Sequence, residues 1–266
     1  IEMLGKLMKY EIKATARTFL PLYIVLLVFA LVNRLIGPLS QDSIRFPNII
    51  SMSLYVIILI GMFVMTFIVM ISRFYKNLLS DEGYLMFTLP TKTWHHITSK
   101  LTVSVMWITI SIITAIASIM IIASREVPPS EIFNAIKLAW HELYRSIGSS
   151  AYLVVAEILI ASILSMIFSV LTIYTSIALG HLFTRHKILA SFGAYLLLTT
   201  ITQIIAAIAT TIMFKTSINR LQYIEVTPLD SLFHNLMWLV IILSAIMSTL
   251  YFVITNVILT ERLNLE

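Results

Sequence analysis

The sequence predicts an all-α integral membrane protein with six transmembrane helices, an N-terminal interfacial helix and both termini in the cytoplasm. Of its 266 residues, 59% are hydrophobic and only 12% are charged, which is roughly half the charged fraction of a soluble domain. The mean hydropathy of +0.96 agrees with this composition. These values exclude disordered proteins, coiled coils and ordinary cytosolic enzymes.

Six apolar runs are each long enough to cross a membrane, which takes about 20 helical residues. Six crossings use most of the chain and leave no room for a separate catalytic domain. Buried helices of a soluble protein would need an amphipathic outer layer, for which too few residues remain. Within a single transmembrane domain covering 1–266, the predicted spans are residues 19–36, 49–72, 101–123, 151–180, 188–214 and 236–258.

The basic residues set the expected orientation. Placing both termini inside puts the larger share of Lys and Arg on the cytoplasmic side, as is typical of membrane proteins. Residues 1–18 carry a basic stripe at helical spacing, formed by Lys6, Lys9, Lys13 and Arg17. This stripe predicts a helix that lies in the inner interface and turns into the membrane near Pro21. The formal charge of +5 favours contact with anionic lipid rather than nucleic acid.

Two segments predicted to lie outside, 124–150 and 215–235, also carry helix signals. The first contains Pro128-Pro129-Ser130-Glu131, which is typical of a helix start. The apolar residues that follow it at helical spacing are Ile132, Ile136, Trp140 or Ala139, Leu143 and Ile147. They predict an amphipathic helix that rests on the outer surface of the bundle. The second segment contains Pro228-Leu229-Asp230 and is predicted to hold a short helix before the last span.

The sequence contains no recognisable catalytic machinery. It has no cysteine, which excludes disulfides, thiolate nucleophiles and cysteine metal sites. No two glycines have the spacing of a phosphate-binding loop, so we expect no ATP site of that kind. No span holds a His pair with a Glu, and no intramembrane His or Lys is placed to activate a serine. We therefore expect no catalytic residue, metal site or cofactor in this chain.

Glu157 is the one acidic residue well inside a predicted span, about 9 Å along the helix from its start. A buried ionised carboxylate is costly, so it must face protein or water, or be protonated. One hypothesis is a polar contact in a solute pathway or a proton site. The alternative is an outer-interface residue paired with Arg34 or Arg145.

Small hydroxyl residues form stripes on the predicted spans. The stripe of the fourth span is Ser162, Ser165, Ser169, Thr172 and Ser176. The third span has Trp107, Ser111, Thr114 and Ser118. Such residues let helices approach closely and can bond across the contact. Helix packing is the favoured interpretation, and a weakly polar solute path through Ser165, Ser169 and Thr172 is the alternative.

The predicted cytoplasmic loop at 73–100 mixes charged residues with apolar ones such as Tyr75, Leu78, Tyr84 and Trp94. This composition is too apolar for a free loop and too charged to enter lipid. It indicates a surface for a protein partner, or else a helix folded back onto the bilayer.

The loop resembles the corresponding loop in permease subunits of type-2 ATP-binding-cassette transporters, especially the small six-span bacterial kind. The resemblance rests on Glu82-Gly83 before a short apolar stretch, then Leu89-Pro90, then Lys100 at the start of the third span. With the basic interfacial helix and the six-span layout, it covers nearly the whole chain. The family often has Ser-Arg after the proline, whereas Thr91-Lys92 keeps the hydroxyl and the charge but not the Arg fork.

The resemblance implies a non-catalytic permease subunit of an exporter in the bacterial cytoplasmic membrane. ATP and magnesium would bind a separate ATP-binding subunit, and a second permease chain, identical or homologous, would help to enclose the pathway. The loop would dock on the ATP-binding subunit as a coupling helix. The residues expected at that contact are Lys76, Asp81, Glu82, Gly83, Tyr84 and Leu85. The cargo would be peptide, drug-like or lipid-like.

Two other functions fit the same residues. An ion-coupled secondary transporter would act alone and would depend on Glu157. A membrane sensor or immunity subunit would bind a peptide without moving it.

Overall fold

The computed structural model is helical in almost all of the residues that it describes, which are 2–36, 45–79, 92–183, 185–221 and 229–262. The helices are α1 (Glu2–Ile36), α2 (Arg45–Leu79), α3 (Thr93–Ala123), α4 (Pro129–Ile147), α5 (Ser150–Gly180), α6 (Lys187–Leu221) and α7 (Leu229–Val257), followed by a π-helical turn at Ile258–Arg262. Six of them, all except α4, are long and apolar enough to cross a membrane. The predicted all-α membrane protein with six spans is confirmed.

The spans extend beyond the apolar runs that predict them. α2 continues to Leu79 and α3 begins at Thr93, so helical ends occupy much of the loop predicted at 73–100. An apolar run marks the part of a helix that contacts hydrocarbon. Backbone hydrogen bonding can continue past it, because Lys, Arg and Leu all favour helix. The predicted loop is therefore shortened on both sides.

The N-terminal segment and the first span form one helix. α1 runs from Glu2 to Ile36 with Pro21 inside it. Proline has no N–H to donate to the carbonyl of Arg17, four residues earlier. Membrane helices tolerate this loss because neighbouring groups satisfy the freed carbonyl. The turn expected near Pro21 is thus not a break in the helix.

The two predicted outer segments differ from each other. The first contains α4, which begins at Pro129, a position where the missing N–H of proline costs no helical hydrogen bond. In the second, α6 continues to Leu221 and α7 begins at Leu229. The described residues of 215–235 therefore extend the neighbouring spans and form no separate short helix.

The chain divides into two compact units. The first comprises Ile1–Arg73 and Thr98–His141, and the second comprises Phe74–Ile97 and Glu142–Glu266. In the first unit, α1, α2 and α3 meet along an aromatic seam whose residues recur at helical spacing on each helix, which places them on one face. The seam consists of Phe19, Tyr23, Leu26, Ala30, Tyr55, Met62, Val103, Trp107 and Ala115; the spacing is three or four residues on α1, seven on α2, and four and eight on α3.

In the second unit, α5 is the central helix. It packs against α6, α7 and the π-helical turn, and α6 also contacts α7. The stretch from Val170 to Ala178 is buried on all sides, as expected for a helix that is apolar around its whole circumference. The C-terminal half of α5 therefore forms the core of this unit.

Candidate functional site

A buried ion pair joins α1 to α3 in the first unit. The Nζ atom of Lys100 lies 3.3 Å from Oε2 of Glu11, and the side chains are only 5% and 13% exposed. A cavity of about 20 Å³ lies beside the pair and is also lined by Arg73, and this volume is enough for one water molecule. Because a desolvated charge is costly unless it is paired, the pair fixes α1 against the start of α3.

Trp107 makes a second contact between the same helices. Its indole N–H donates a hydrogen bond to Oγ1 of Thr15 at 2.7 Å, and its ring stacks on Phe19 with the centroids 4.5 Å apart. Thr15 follows Glu11 by one helical turn, and Trp107 follows Lys100 by two turns. The two contacts therefore lie in succession along the same seam.

Ser111 joins all three helices of the first unit. Its hydroxyl lies 2.8 Å from that of Tyr23 on α1 and 3.1 Å from that of Thr66 on α2. Two turns further along α3, the hydroxyl of Ser118 lies 2.8 Å from that of Tyr55 on α2. Such bonds hold membrane helices together because no water competes for them.

The stripe predicted on the third span is a helix-packing surface, since Trp107, Ser111 and Ser118 are all buried against neighbouring helices. Glu11 was not predicted from the sequence, because it lies among the basic residues of an amphipathic segment, as a solvated acid would. The sequence holds one sign that Glu11 lies in a contact: Thr15 follows it by four residues, on the same face of the helix.

The Glu11–Lys100 pair and the cavity beside it can hold charge and one water molecule. The hydrogen bonds of Ser111 connect hydroxyls to one another, so no base is in place to activate it as a nucleophile. Among the residues that the structure describes, no group of three His, Asp or Glu could hold a metal ion.

In the second unit, Glu157 of α5 pairs with His234 of α7. The Oε2 atom of Glu157 lies 2.7 Å from Nδ1 of His234, with side-chain exposures of 10% and 21%. A carboxylate only accepts hydrogen bonds, so a proton on one of the two groups must lie between these atoms. The partner that the structure gives Glu157 is His234, which sequence spacing could not identify.

The hydroxyl stripe of α5 mainly bonds within α5. Ser169 donates to the carbonyl of Ser165 at 2.8 Å, and Thr172 donates to that of Phe168 at 2.8 Å. Thr172 is buried, Ser165 is half-buried and Ser169 is exposed. Ser165 follows Glu157 by eight residues, about 12 Å along the axis, so the structure does not gather the predicted pathway residues around Glu157.

A second bond from α5 to α7, between hydroxyl groups, comes from Thr175, one position away from the predicted stripe. Its hydroxyl lies 2.9 Å from that of Thr255 and 3.1 Å from the carbonyl oxygen of Tyr251, both on α7. Stripe spacing alone did not reveal this residue, because the bond depends on which helix lies beside α5.

The Thr175→Val variant is expected to lower the free energy of unfolding by about 0.6 kcal/mol, and by no more than about 1.7 kcal/mol, as for other hydrogen bonds between membrane helices. Valine keeps the shape of the side chain and replaces the hydroxyl group with a methyl group. Reversible unfolding in mixed micelles of mild detergent and dodecyl sulfate measures the change. The matched control is Thr211→Val, since Thr211 is exposed and donates to its own helix at Ala207. Equal losses in both variants would contradict the assignment.

Aromatic contacts fasten the end of α2 to α5 within the second unit. The rings of Phe74 and Tyr174 are both fully buried and stack with centroids 4.0 Å apart. The next pair is Tyr75 with His181, at 5.1 Å. Burial lowers the pKa of His181, and the nearby charge of Lys187 lowers it further, so its imidazole is neutral at pH 7.

Gly180 ends α5 at a point where α6 passes very close. A Cβ atom at this position would lie 2.5 Å from the backbone nitrogen and 2.6 Å from the Cα of Ser191. No side chain can occupy that space without moving a backbone. Glycine is therefore required where the two helices cross.

Lys76 is exposed on the last turn of α2 and is the one predicted coupling residue that the structure describes. The other five, Asp81, Glu82, Gly83, Tyr84 and Leu85, lie outside the described residues, as does Leu89-Pro90. Comparison with known proteins adds no assignment for them: no protein-family model, curated protein or solved structure matches this chain.

Proposed function

We propose that this chain is the transmembrane permease subunit of an ATP-driven exporter in a bacterial cytoplasmic membrane. A separate ATP-binding subunit supplies the energy, and a second permease chain, identical or homologous, completes the pathway for a peptide, drug-like or lipid-like solute. The six membrane-spanning helices support a transport role. The sequence lacks a phosphate-binding loop but carries Glu82-Gly83 and Leu89-Pro90 between α2 and α3, which supports an external source of ATP hydrolysis.

The anchoring of the two helix ends that flank residues 80–91 is the observation that carries this proposal. On the N-terminal side of these residues, Phe74 stacks on Tyr174 in the second unit. On their C-terminal side, Lys100 pairs with Glu11 and Trp107 bonds Thr15 in the first unit. In this proposal, a displacement of the loop would act on a buried contact within each unit.

This anchoring suggests a route for mechanical coupling. Closure of two ATP-binding subunits would move the loop, with Lys76, Asp81, Glu82, Gly83, Tyr84 and Leu85 at the contact. Packed interiors tend to change between discrete arrangements rather than to deform continuously. A loop movement would thus be passed on as helix displacement and not absorbed locally.

The test is capture of the affinity-tagged chain from its native membranes in mild detergent. We expect it to retain a polypeptide that a photoreactive ATP analogue labels, together with magnesium-dependent ATPase activity. The Glu82→Lys variant is expected to lose both, because charge reversal places a like or unmatched charge in the docking surface. The matched control is Glu131→Lys in α4, which changes the net charge equally and is expected to retain both.

Two outcomes would overturn the proposal. The first is capture of no ATP-labelled polypeptide by the unmodified chain. The second is equal retention of that polypeptide and its ATPase activity by the Glu82→Lys and Glu131→Lys variants. Folding of each variant is checked by its elution volume in size-exclusion chromatography.

The buried Glu157–His234 pair favours a second candidate, an ion-coupled carrier that acts alone. An intramembrane carboxylate with a shared proton is a known type of proton site in transporters. Liposomes that contain the purified chain and a trapped pH-sensitive dye would then show proton uptake without ATP, and Glu157→Gln would abolish it. Absence of uptake by the unmodified chain would exclude this candidate.

A further inference from the structure

The amphipathic helix α4 is tied at both ends to the same membrane surface. Residues 124–128 connect α3 to α4, and residues 148–149 connect α4 to α5. Since α3 and α5 are successive spans, the end of one and the start of the other lie on one side of the membrane. Two connecting residues reach at most about 7 Å. The C-terminal end of α4 is therefore held at the level where α5 begins.

The apolar residues of α4 occupy one side of the helix. At 100° per residue, its largest apolar side chains, apart from Leu138, fall within an arc of about 120°. This apolar arc consists of Ile132, Phe133, Ile136, Trp140, Leu143, Tyr144 and Ile147. The remaining circumference carries the charged residues and His141. A helix with this pattern needs an apolar surface on one side and water on the other.

The rest of the described chain covers this arc only in part, since Ile132, Trp140, Leu143 and Ile147 are half-buried. No residue of α4 is buried, and Phe133 and Ile136 are 68% and 61% exposed. The sequence predicted that α4 rests on the bundle, which would bury the middle of the arc. In the structure Ile136, near the middle of the arc, stays exposed, while Trp140 and Ile147 beside it are half-buried.

A tyrosine pair places the arc at the depth of the lipid headgroups. Tyr144 of α4 meets Tyr152 edge to face, with ring centroids 6.1 Å apart. Tyr152 lies in the first turn of α5, where the tyrosines of membrane spans contact the headgroup region. Trp140, one turn before Tyr144, adds a second side chain of the type that favours this depth.

The charges on α4 indicate that its attraction to a membrane surface is hydrophobic and not electrostatic. Glu131 and Glu142 balance Lys137 and Arg145, so the helix has no formal net charge and no particular affinity for anionic headgroups. We propose that α4 is an interfacial helix whose apolar arc inserts into the phospholipid monolayer at this surface. A phospholipid of any headgroup charge is its partner. This proposal does not depend on the transport function.

The absence of cysteine makes the test direct, because a single introduced cysteine carries a single spin label. Labels are placed at Phe133→Cys and Ile136→Cys on the arc, and at Asn134→Cys and His141→Cys on the polar side. The variants are studied in nanodiscs of phosphatidylcholine alone and of phosphatidylcholine with phosphatidylglycerol. Collision rates with oxygen, which dissolves in lipid, and with a water-soluble nickel chelate report the surroundings of each label.

We expect the arc labels to have a several-fold higher ratio of oxygen to nickel collisions than the polar-side labels. The ratio is expected to be the same in both lipid mixtures. Protection of the arc labels from both reagents would overturn the proposal, because a second copy of the chain or another protein would then cover the arc. Exposure of the arc labels to nickel would also overturn it, because the arc would then face water. Because there are two labelled positions on the arc and two on the polar side, the comparison still stands if one variant fails to fold.

Discussion

Replacing Gly180 with alanine is expected to destabilise the protein by about 1–3 kcal/mol, the usual cost of forcing extra volume into a packed contact. The added methyl group would lie 2.5 Å from a backbone nitrogen of Ser191. A flexible side chain could rotate away, but a helix backbone must shift as a whole. The junction of α5 and α6 would therefore open. Thermal unfolding of the purified protein, followed by circular dichroism in detergent, measures the loss.

Gly193 provides the matched control on α6. A Cβ atom there would meet nothing within 4 Å, so Gly193→Ala introduces no clash. Because glycine is unfavourable within a helix, this variant is expected to be stabilised by about 0.5–1 kcal/mol. The close contact at Gly180 would be disproved if both alanine variants unfolded at the same temperature.

Breaking the Glu11–Lys100 pair is expected to have the largest effect of any single change, about 3–5 kcal/mol, because the remaining charge is left buried. The two single variants are expected to differ. Glu11→Leu leaves Lys100 and Arg73 as two cations that line one cavity, with no anion between them. Lys100→Met leaves Glu11 with Arg73 nearby, which offsets part of the cost. Unfolding by dodecyl sulfate measures both losses.

The double variant separates charge effects from packing effects. Glu11→Leu combined with Lys100→Met removes both charges and is expected to recover most of the stability, as other buried ion pairs do when both partners become apolar. Lys9→Met is the control, since Lys9 is exposed on the same helix and is expected to change stability by less than about 0.5 kcal/mol. Additive losses in the double variant would show that the pair is not coupled.

The fold class was predictable because it depends on the average composition and on long runs of apolar residues. Six apolar runs predict six spans, and this prediction does not depend on which helices pack against each other. The ends of the spans were less predictable, since helix continues past the hydrocarbon boundary at Leu79 and before it at Thr93. Charged residues do not end a helix. They only end its apolar part.

The candidate sites were predictable only where one helix carried the whole signal. Trp107 and Ser111 stand at regular spacing on α3 and were recognised as a packing surface. The partner of Glu157 was not recognised, because His234 is 77 residues further along the chain and only helix packing brings it near. Gly180 likewise gives no sign in the sequence that Ser191 lies against it.

The threonines of α6 show how a membrane helix can carry polar side chains and still be lipophilic. Thr199, Thr200 and Thr211 are partly or fully exposed, and each hydroxyl donates to a carbonyl three or four residues earlier. Their donors are therefore already satisfied before the helix meets lipid. Although α6 is the least apolar of the six spans, partitioning it into hydrocarbon desolvates few free polar groups. The hydroxyl content of a span therefore overstates its cost of insertion into the bilayer.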